Sequence, residues 1–193
     1  FRYLYSLYRL LMGLGLGLGI DLASYKSFTL TDIGNLSLWL QNNVGVTNAK
    51  WDDSSGNNNH ATQSNEANQA SHNDIHGGLD FEATESDHYD LASTITIAER
   101  GGFCFAAVLE IETHSGDNTI LSKDSNDQIR ITSDSAFRFR ANDPTDTSTT
   151  FVFESNTFPT GTKMLLLLNR SIGASNVFSF FKNGTQLTPN TDT

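Results

Sequence analysis

Two acidic residues and a histidine alternate near the middle of the chain, as Glu110, Glu112 and His114. Alternate side chains of a β-strand point to one face, so this spacing would place the three groups together. Paired carboxylates about 5–5.5 Å apart are the acid and nucleophile of retaining glycoside hydrolases. The same residues suit a strand that leaves the core and presents an acidic face to water before a Ser-Gly turn. We favour the solvated face, and we predict no catalytic residue and no enzymatic activity.

A second group of candidates is Trp51, Asp52 and Asp53, at the start of a turn-rich stretch. Loop carboxylates are ligands that Ca²⁺ prefers, so Asp52 and Asp53 are the residues to test for a calcium site. Trp51 could stack on a sugar ring as part of a ligand site, or pack beneath the turn. The favoured interpretation is turn chemistry, in which Asp and Asn side chains accept hydrogen bonds from backbone N–H groups. No cofactor other than calcium is predicted.

Histidines also gather in this part of the chain. Four of them lie within 29 residues and close to several aspartates: His60, His72, His76 and His88, with Asp74, Asp87 and Asp90. A metal site is conceivable from these residue types, but their spacing matches no metal-binding motif. They are therefore not assigned as ligands.

Three further features receive structural interpretations. Cys104 lies within an apolar run and is predicted to be a buried small hydrophobic residue. Trp39 stands among leucines and is predicted to lie in the core. Arg130, Arg138 and Arg140 alternate along a predicted hairpin, which indicates a small basic stripe on an exposed strand face.

The scaffold that must position these residues is predicted to consist of strands. Short apolar or alternating runs bounded by turn residues occur at 36–41, 78–81, 103–111, 119–122, 128–132, 136–140, 151–153, 163–169 and 177–182. The run 103–111 is almost continuously apolar, which predicts a buried strand of a sandwich. Asn183-Gly184 is the strongest short hairpin signal, and residues 133–135 predict a second hairpin. Short strands without a long helical pattern predict an all-β fold, either a β-sandwich or a jelly roll.

Composition excludes several classes of protein. The 193 residues include 12 Lys and Arg against 22 Asp and Glu, for a net charge of −10. Nucleic-acid binding needs clustered cations, so no nucleic-acid partner is predicted. The single cysteine excludes an internal disulfide framework and a Cys-rich zinc site.

The first 20 residues differ from all the others, because they contain two arginines and no acid. Apolar residues up to Met12 have helical spacing, and Gly13–Ile20 alternates Gly with apolar residues, so each part has one apolar face. A Gly-rich segment is not stable alone, which predicts a helical or extended assembly arm over 1–35 that docks on another surface. Its docking residues are Tyr3, Tyr5, Tyr8, Leu11, Leu14, Leu16 and Leu18. A signal peptide and an ordinary first strand are the alternatives, and the apolar run is too short for a membrane span.

Three motifs then follow one another in order. They are Leu38-Trp39-Leu40, the stretch WDDSSGNNNHATQ at 51–63, and GLDF at 78–81 followed by EATESDHYDL. Together with the Phe-Phe-Lys-Asn-Gly hairpin at 180–184, this order resembles LamG-like domains of the concanavalin A-like lectin/glucanase superfamily. The resemblance covers about residues 36–187. It implies a jelly-roll sandwich over 36–193, and a calcium site of loop carboxylates is common in that superfamily.

Two features depart from that family. Ala83 stands where the family usually has Gly, and the chain ends at Thr193 without the strands and short helix that usually follow the Asn-Gly hairpin. A jelly roll without its closing strand has an unpaired edge. We expect either a truncated chain or a strand donated by Gly13–Ile20 of the same or a neighbouring chain.

The Gly-Leu arm directly before such a domain resembles the opening of tailed-phage virion proteins. The two resemblances imply a non-enzymatic virion protein, either capsid decoration (cement) or tail-associated. The arm would dock on the major capsid protein or another virion protein, the chain would form homo-oligomers, and the sandwich would project outward, where it could bind host-surface glycans. The alternative is a secreted carbohydrate-binding lectin module, and a third reading is a glucanase-type hydrolase acting through Glu110 and Glu112.

Overall fold

The protein is all-β in a computed structural model that describes residues 30–72, 78–97, 101–124, 127–140, 149–171 and 177–192. In these ranges the only helices are two short 3₁₀ helices, Leu30–Asp32 and Glu66–Asn68. Neither is long or apolar enough to cross a membrane. The described residues divide between Ala92 and Ser93 into two compact units.

The first unit contains very short strands and long turns. Its strands are β1 (Val46–Thr47), β2 (Lys50–Trp51), β3 (Ala61–Thr62), β4 (Ser71–His72), β5 (Leu79–Asp80) and β6 (Asp90–Leu91). β1, β2, β3 and β6 form one antiparallel sheet in that order, and β4 pairs with β5. Asn and Ser side chains between the strands bond nearby backbone groups, and Gly accepts positive φ angles, so turns are favoured and each strand is kept to two residues.

The second unit contains two larger antiparallel sheets. Its strands are β7 (Phe103–Leu109), β8 (Asn118–Asp124), β9 (Asp127–Ile131), β10 (Ala136–Arg140), β11 (Thr149–Val152), β12 (Met164–Arg170), β13 (Phe178–Lys182), β14 (Thr185–Leu187) and β15 (Thr191–Asp192). One sheet has the order β15-β11-β10-β9-β8, and the other has the order β14-β13-β12-β7. The long predicted strand patterns of this half are thereby confirmed.

An aromatic core joins the two sheets of the second unit. Alternate residues of β10 and β12 are buried, since side chains alternate between the two faces of a strand. Phe137 of one sheet lies 5.2 Å from Phe180 of the other, measured between ring centroids, and Phe151 lies 4.5 Å from Phe180. The buried cluster is Ile111, Ile129, Ile131, Phe137, Phe139, Phe151, Phe153, Phe158, Met164, Leu166, Leu168 and Phe180. Packing of two antiparallel sheets over one core makes this unit sandwich-like.

Both predicted hairpins are present. β13 and β14 are joined by Asn183-Gly184, whose φ angles of 52° and 81° are both positive. Two consecutive positive φ values are the requirement of a type I′ turn, which Asn-Gly meets at low cost. β9 and β10 pair across residues 133–135, with Phe137 opposite Ile131.

Three expectations about burial and strands are wrong. Residues 36–41 do not form a strand and contribute a single β-bridge, between Leu40 and Asp53. The reason is that side-chain amides of the 53–59 loop bond to backbone carbonyl groups of this segment, which are then not available to a neighbouring strand. Trp39 is half-buried and is not part of the core. β7 is buried on one face alone, so Cys104 is exposed. The reason is that only one face of this antiparallel sheet packs on the core.

Candidate functional site

The loop between β2 and β3 is organised around the buried carboxylate of Asp53, which is 8 % exposed. Oδ1 accepts hydrogen bonds from the N–H groups of Trp39 and Ser55, both at 2.9 Å. Oδ2 accepts from the Ser55 hydroxyl at 2.8 Å and from the N–H of Asn59 at 3.0 Å. A carboxylate offers about four lone-pair sites, so these four donors use its whole capacity.

Two asparagines of the same loop bind the preceding segment. Nδ2 of Asn57 donates to the carbonyl of Leu36 at 2.6 Å, and Nδ2 of Asn59 donates to the carbonyl of Ser37 at 2.9 Å. The segment therefore makes its hydrogen bonds to loop side chains instead of to a neighbouring strand. The turn chemistry that the sequence predicted for residues 52–59 is seen at Asp53, which accepts from backbone N–H groups, whereas these asparagine amides donate to carbonyls of a distant segment.

The neighbouring Asp52 has a different environment. Its carboxylate lies 2.5 Å from Nζ of Lys50 and 3.0 Å from Nδ1 of His60, and its side chain is 37 % exposed. The hydrogen bond with the Lys50 ammonium lowers the pKa of Asp52 below its ordinary value. Asp52 is thus ionised and paired with a cation at neutral pH.

Asp52 and Asp53 do not fit a calcium ion. Every lone pair of Asp53 already accepts a hydrogen bond, and Asp52 lies against an ammonium group that would repel a divalent cation. Calcium needs six to eight oxygen ligands, and both oxygens of Asp53 are already used by N–H and O–H donors of the loop.

Trp51 is half-buried beside this loop. Its indole Nε1 donates to the carbonyl of Gln41 at 2.8 Å, so its polar atom serves to hold the segment before β1. A role of the indole ring in stacking on a sugar stays a prediction.

Glu110, Glu112 and His114 lie beyond the end of β7 and are not part of that strand. β7 ends at Leu109, and Glu110 and Glu112 are exposed beyond it. Nε2 of His114 lies 2.8 Å from the carbonyl oxygen of Phe158, which uses that ring nitrogen for a structural bond. The prediction that the three residues alternate along one strand is therefore wrong, because the strand ends first.

The described histidines of the first unit each have a different partner. Nε2 of His72 lies 3.2 Å from Oδ1 of Asn43, and Nε2 of His88 lies 3.0 Å from Nε2 of Gln63. His60 accepts from the N–H of Asp53 at 3.1 Å. Two of these contacts join residues 25 or more positions apart, and each links one segment of the first unit to another. His76 and Asp74 lie outside the described residues.

The basic stripe lies across the larger sheet. Arg130 of β9 and Arg138 of β10 stand directly opposite each other. Like charges in this position repel, and Asp117 offsets part of the repulsion at 2.6 Å from Arg130. Arg138 donates from Nε to the hydroxyl of Thr150 at 3.1 Å.

Two buried polar residues were not found by sequence reasoning. Gln63 is 8 % exposed and donates to the backbone carbonyl of His88 at 3.1 Å. Arg170 is 2 % exposed, donates from Nε to the carbonyl of Gly101 at 2.8 Å, and lies over the rings of Phe103 and Phe139. Arg170 ends a strand that is apolar up to Asn169, and this position was the available signal for a buried charge.

The proposed docking residues Tyr3, Tyr5, Tyr8, Leu11, Leu14, Leu16 and Leu18 lie outside the described residues. Comparisons with known proteins give no match to the chain, whether among family models, curated proteins or solved structures.

The loop geometry predicts that Asp53→Asn lowers the free energy of unfolding by about 2–3 kcal/mol near neutral pH, because the amide turns an NH₂ group toward two of the four donors. Burial raises the pKa of Asp53, but the donors from Trp39, Ser55 and Asn59 outweigh it and hold the pKa below 3.8. The carboxylate therefore stabilises the fold fully above about pH 3.8, and this contribution is lost as pH falls through the lower folded-state pKa.

The measurement is urea unfolding of both proteins at several pH values, followed by tryptophan fluorescence. Trp39 and Trp51 both flank the loop, so the signal reports this unit. The difference between wild type and Asp53→Asn should shrink below about pH 3.8. Asp52→Asn is the matched control, with a smaller loss expected for its exposed carboxylate. Equal losses in the two variants would contradict the role given to Asp53.

Proposed function

We propose that this protein is a non-enzymatic structural component of a virus particle, with a jelly-roll domain of the LamG-like type attached through its N-terminal arm. The observation that carries the proposal is the segregation of the sequence. Residues 1–20 are apolar and basic, and all 22 acidic residues follow them. A segment that needs a surface is thus joined to an acidic, Asn-rich part that remains in water.

The architecture of the described residues supports the same proposal. The second unit has the two packed antiparallel sheets that a jelly-roll domain requires. In the first unit, hydrogen bonds hold the 53–59 loop in place, and they involve the side chains of Asp53, Asn57 and Asn59. A loop that is held by its own side-chain hydrogen bonds suits a domain that braces a shell or presents a surface to a host glycan.

The arm is tested by changing its apolar face in the full chain. Leu14→Asp with Leu16→Asp should reduce incorporation into particles at least about tenfold, because each carboxylate would have to be desolvated against the docking surface. The control is Ser24→Asp with Ser27→Asp, which adds the same charge outside the Gly-Leu stretch. Incorporation is measured by sedimentation of particles and quantitative mass spectrometry. Equal incorporation of both double variants would contradict the proposal.

The native protein also distinguishes a virion component from the alternative, a secreted lectin module. Limited proteolysis of the native protein with mass analysis shows whether residues 1–20 are present and protected. A protected arm supports attachment to a particle. An arm that is absent from the native protein would favour a secreted lectin module, and a glycan-binding screen of the domain would follow.

A further inference from the structure

The outer face of the larger sheet in the second unit carries the basic stripe. Arg130 lies in β9, and Arg138 and Arg140 lie in β10. The residues that alternate with these arginines belong to the buried core, so the arginines project from the opposite face of the sheet. Residues 93–193 contain eight Lys and Arg, and three of the eight are therefore gathered on one sheet face.

Strand register places two of these arginines in one polar row. Arg130 stands directly opposite Arg138, with Thr119 on the far side of Arg130 and Thr150 on the far side of Arg138. The row crosses four strands and consists of two guanidinium groups flanked by two hydroxyl groups. Arg140 lies two residues along β10 and therefore on the same face as Arg138.

Contacts within the chain satisfy this row only in part. Oδ2 of Asp117 lies 2.6 Å from Nη1 of Arg130, and the Thr150 hydroxyl accepts from Nε of Arg138 at 3.1 Å. Nε of Arg130 is buried and has no hydrogen-bond partner among the described residues. Two like charges that are directly opposed across a strand pair repel each other, and the one carboxylate offsets part of that repulsion. Local arrangements that cost stability are found mainly at functional sites.

The chemistry of the row selects an oxyanion of low charge. A guanidinium group presents its N–H donors in a planar fork that matches a carboxylate, and an anion between Arg130 and Arg138 offsets their repulsion. The net charge of −10 repels a long polyanion, but it acts weakly on a molecule with a single carboxylate. The hydroxyl groups of Thr119 and Thr150 are suited to bond the hydroxyl groups of a sugar.

We propose that the basic stripe binds an acidic sugar, whose carboxylate lies at Arg130 and Arg138. This inference rests on the proposed function and names the class of host-surface glycan that the sandwich binds. A half-exposed sheet face gives weak binding to a single sugar, with a dissociation constant on the order of 1 mM. Many copies on one particle would add such contacts into firm attachment.

Glucuronic acid and glucose are matched probes of this site, because they differ by a carboxylate at one carbon. Each is titrated into the full chain at low ionic strength, since salt screens exposed charges. The readout is the set of Nε–H NMR signals of the seven arginines, assigned from arginine variants. Glucuronic acid should shift the signals of Arg130 and Arg138 to saturation, and glucose should bind at least about tenfold more weakly.

Matched variants locate the binding. Arg138→Gln removes one guanidinium group of the row and should weaken the binding of glucuronic acid at least about tenfold. Lys163→Gln removes the same charge at an exposed residue directly before β12, in the other sheet, and should leave binding unchanged. Arg138→Lys keeps the charge without the planar fork and should weaken binding several-fold, less than Arg138→Gln. Circular dichroism in urea checks that each variant folds, and Arg138→Lys carries the comparison if Arg138→Gln does not.

Three results overturn the proposal. The first is equal affinity for glucuronic acid and glucose, or no saturable shift at either arginine, which shows that the carboxylate is not recognised. The second is acetate that binds as tightly as glucuronic acid, which shows that the sugar is not recognised. The third is an equal effect of Arg138→Gln and Lys163→Gln, which places the binding elsewhere. Incorporation into particles through the arm is a separate measurement, so failure here and failure of the proposed function are distinguishable.

Discussion

Phe137→Ala is expected to lower the free energy of unfolding of the second unit by about 3–5 kcal/mol, the range for truncation of a buried aromatic side chain. Phe137 is 2 % exposed, and its ring lies 5.2 Å from Phe180 and 6.5 Å from Phe158 between centroids. Truncation removes contacts with both sheets and leaves a cavity that close-packed strands cannot fill. The loss is large because one side chain bridges the two layers.

The distribution of aromatic residues allows each unit to be followed separately. All tryptophans and tyrosines precede residue 93, so fluorescence reports the first unit, whereas far-UV circular dichroism includes the strands of the second. Phe137→Ala should shift the dichroism transition in urea. Phe137→Leu keeps most of the volume and should lose less, which gives a folded variant for comparison. Phe81→Ala is the control at a side chain 50 % exposed. A loss below about 1 kcal/mol for Phe137→Ala would contradict the described core.

Arg170→Ala is expected to cost about 2–4 kcal/mol, because it removes a long side chain that is packed and hydrogen-bonded in a buried position. The guanidinium carbon lies 5.0 Å from the ring centre of Phe103 and 5.6 Å from that of Phe139. Nε donates to the carbonyl of Gly101, 69 residues away in the chain. Arg170 therefore ties the end of β12 to the start of β7.

Arg170→Lys separates the contribution of the positive charge to stability from that of the planar guanidinium group. An ammonium group keeps the charge but cannot lie flat against two rings or donate from the Nε position, so a loss of about 1–2 kcal/mol is expected. Arg138→Lys is the matched control at a half-buried arginine on the other sheet, with a smaller loss expected. Unfolding in urea followed by circular dichroism gives both values. Wild-type stability of Arg170→Lys would show that the planar stacking contributes nothing.

Much of the second unit was predictable from local patterns. Alternating apolar residues at 128–132 and 136–140 predicted β9 and β10, and the run at 163–169 predicted β12. Asn183-Gly184 predicted a hairpin because few residues accept two successive positive φ angles. These features depend on a period of two and on backbone sterics, which act between near neighbours in the chain.

The candidate site was less predictable. Sequence reasoning found the turn at residues 52–59 but could not rank its two adjacent aspartates. Asp53 accepts from Trp39, 14 residues earlier, while Asp52 stays exposed beside Lys50. Which of two neighbouring carboxylates is buried depends on the path of a distant segment, and composition carries no record of that path.

The sequence by itself determined the all-β character of the described residues, the places of their main strands and hairpins, and the order of an apolar basic segment before an acidic remainder. The tertiary structure alone decided which faces are covered. Thus the apolar run of β7 is buried on one side and exposes Cys104 and Val108 on the other, and Arg170 becomes a core residue. The physical reason is that burial is a property of pairing register and of a facing sheet, whereas strand formation needs only the local alternation of side chains.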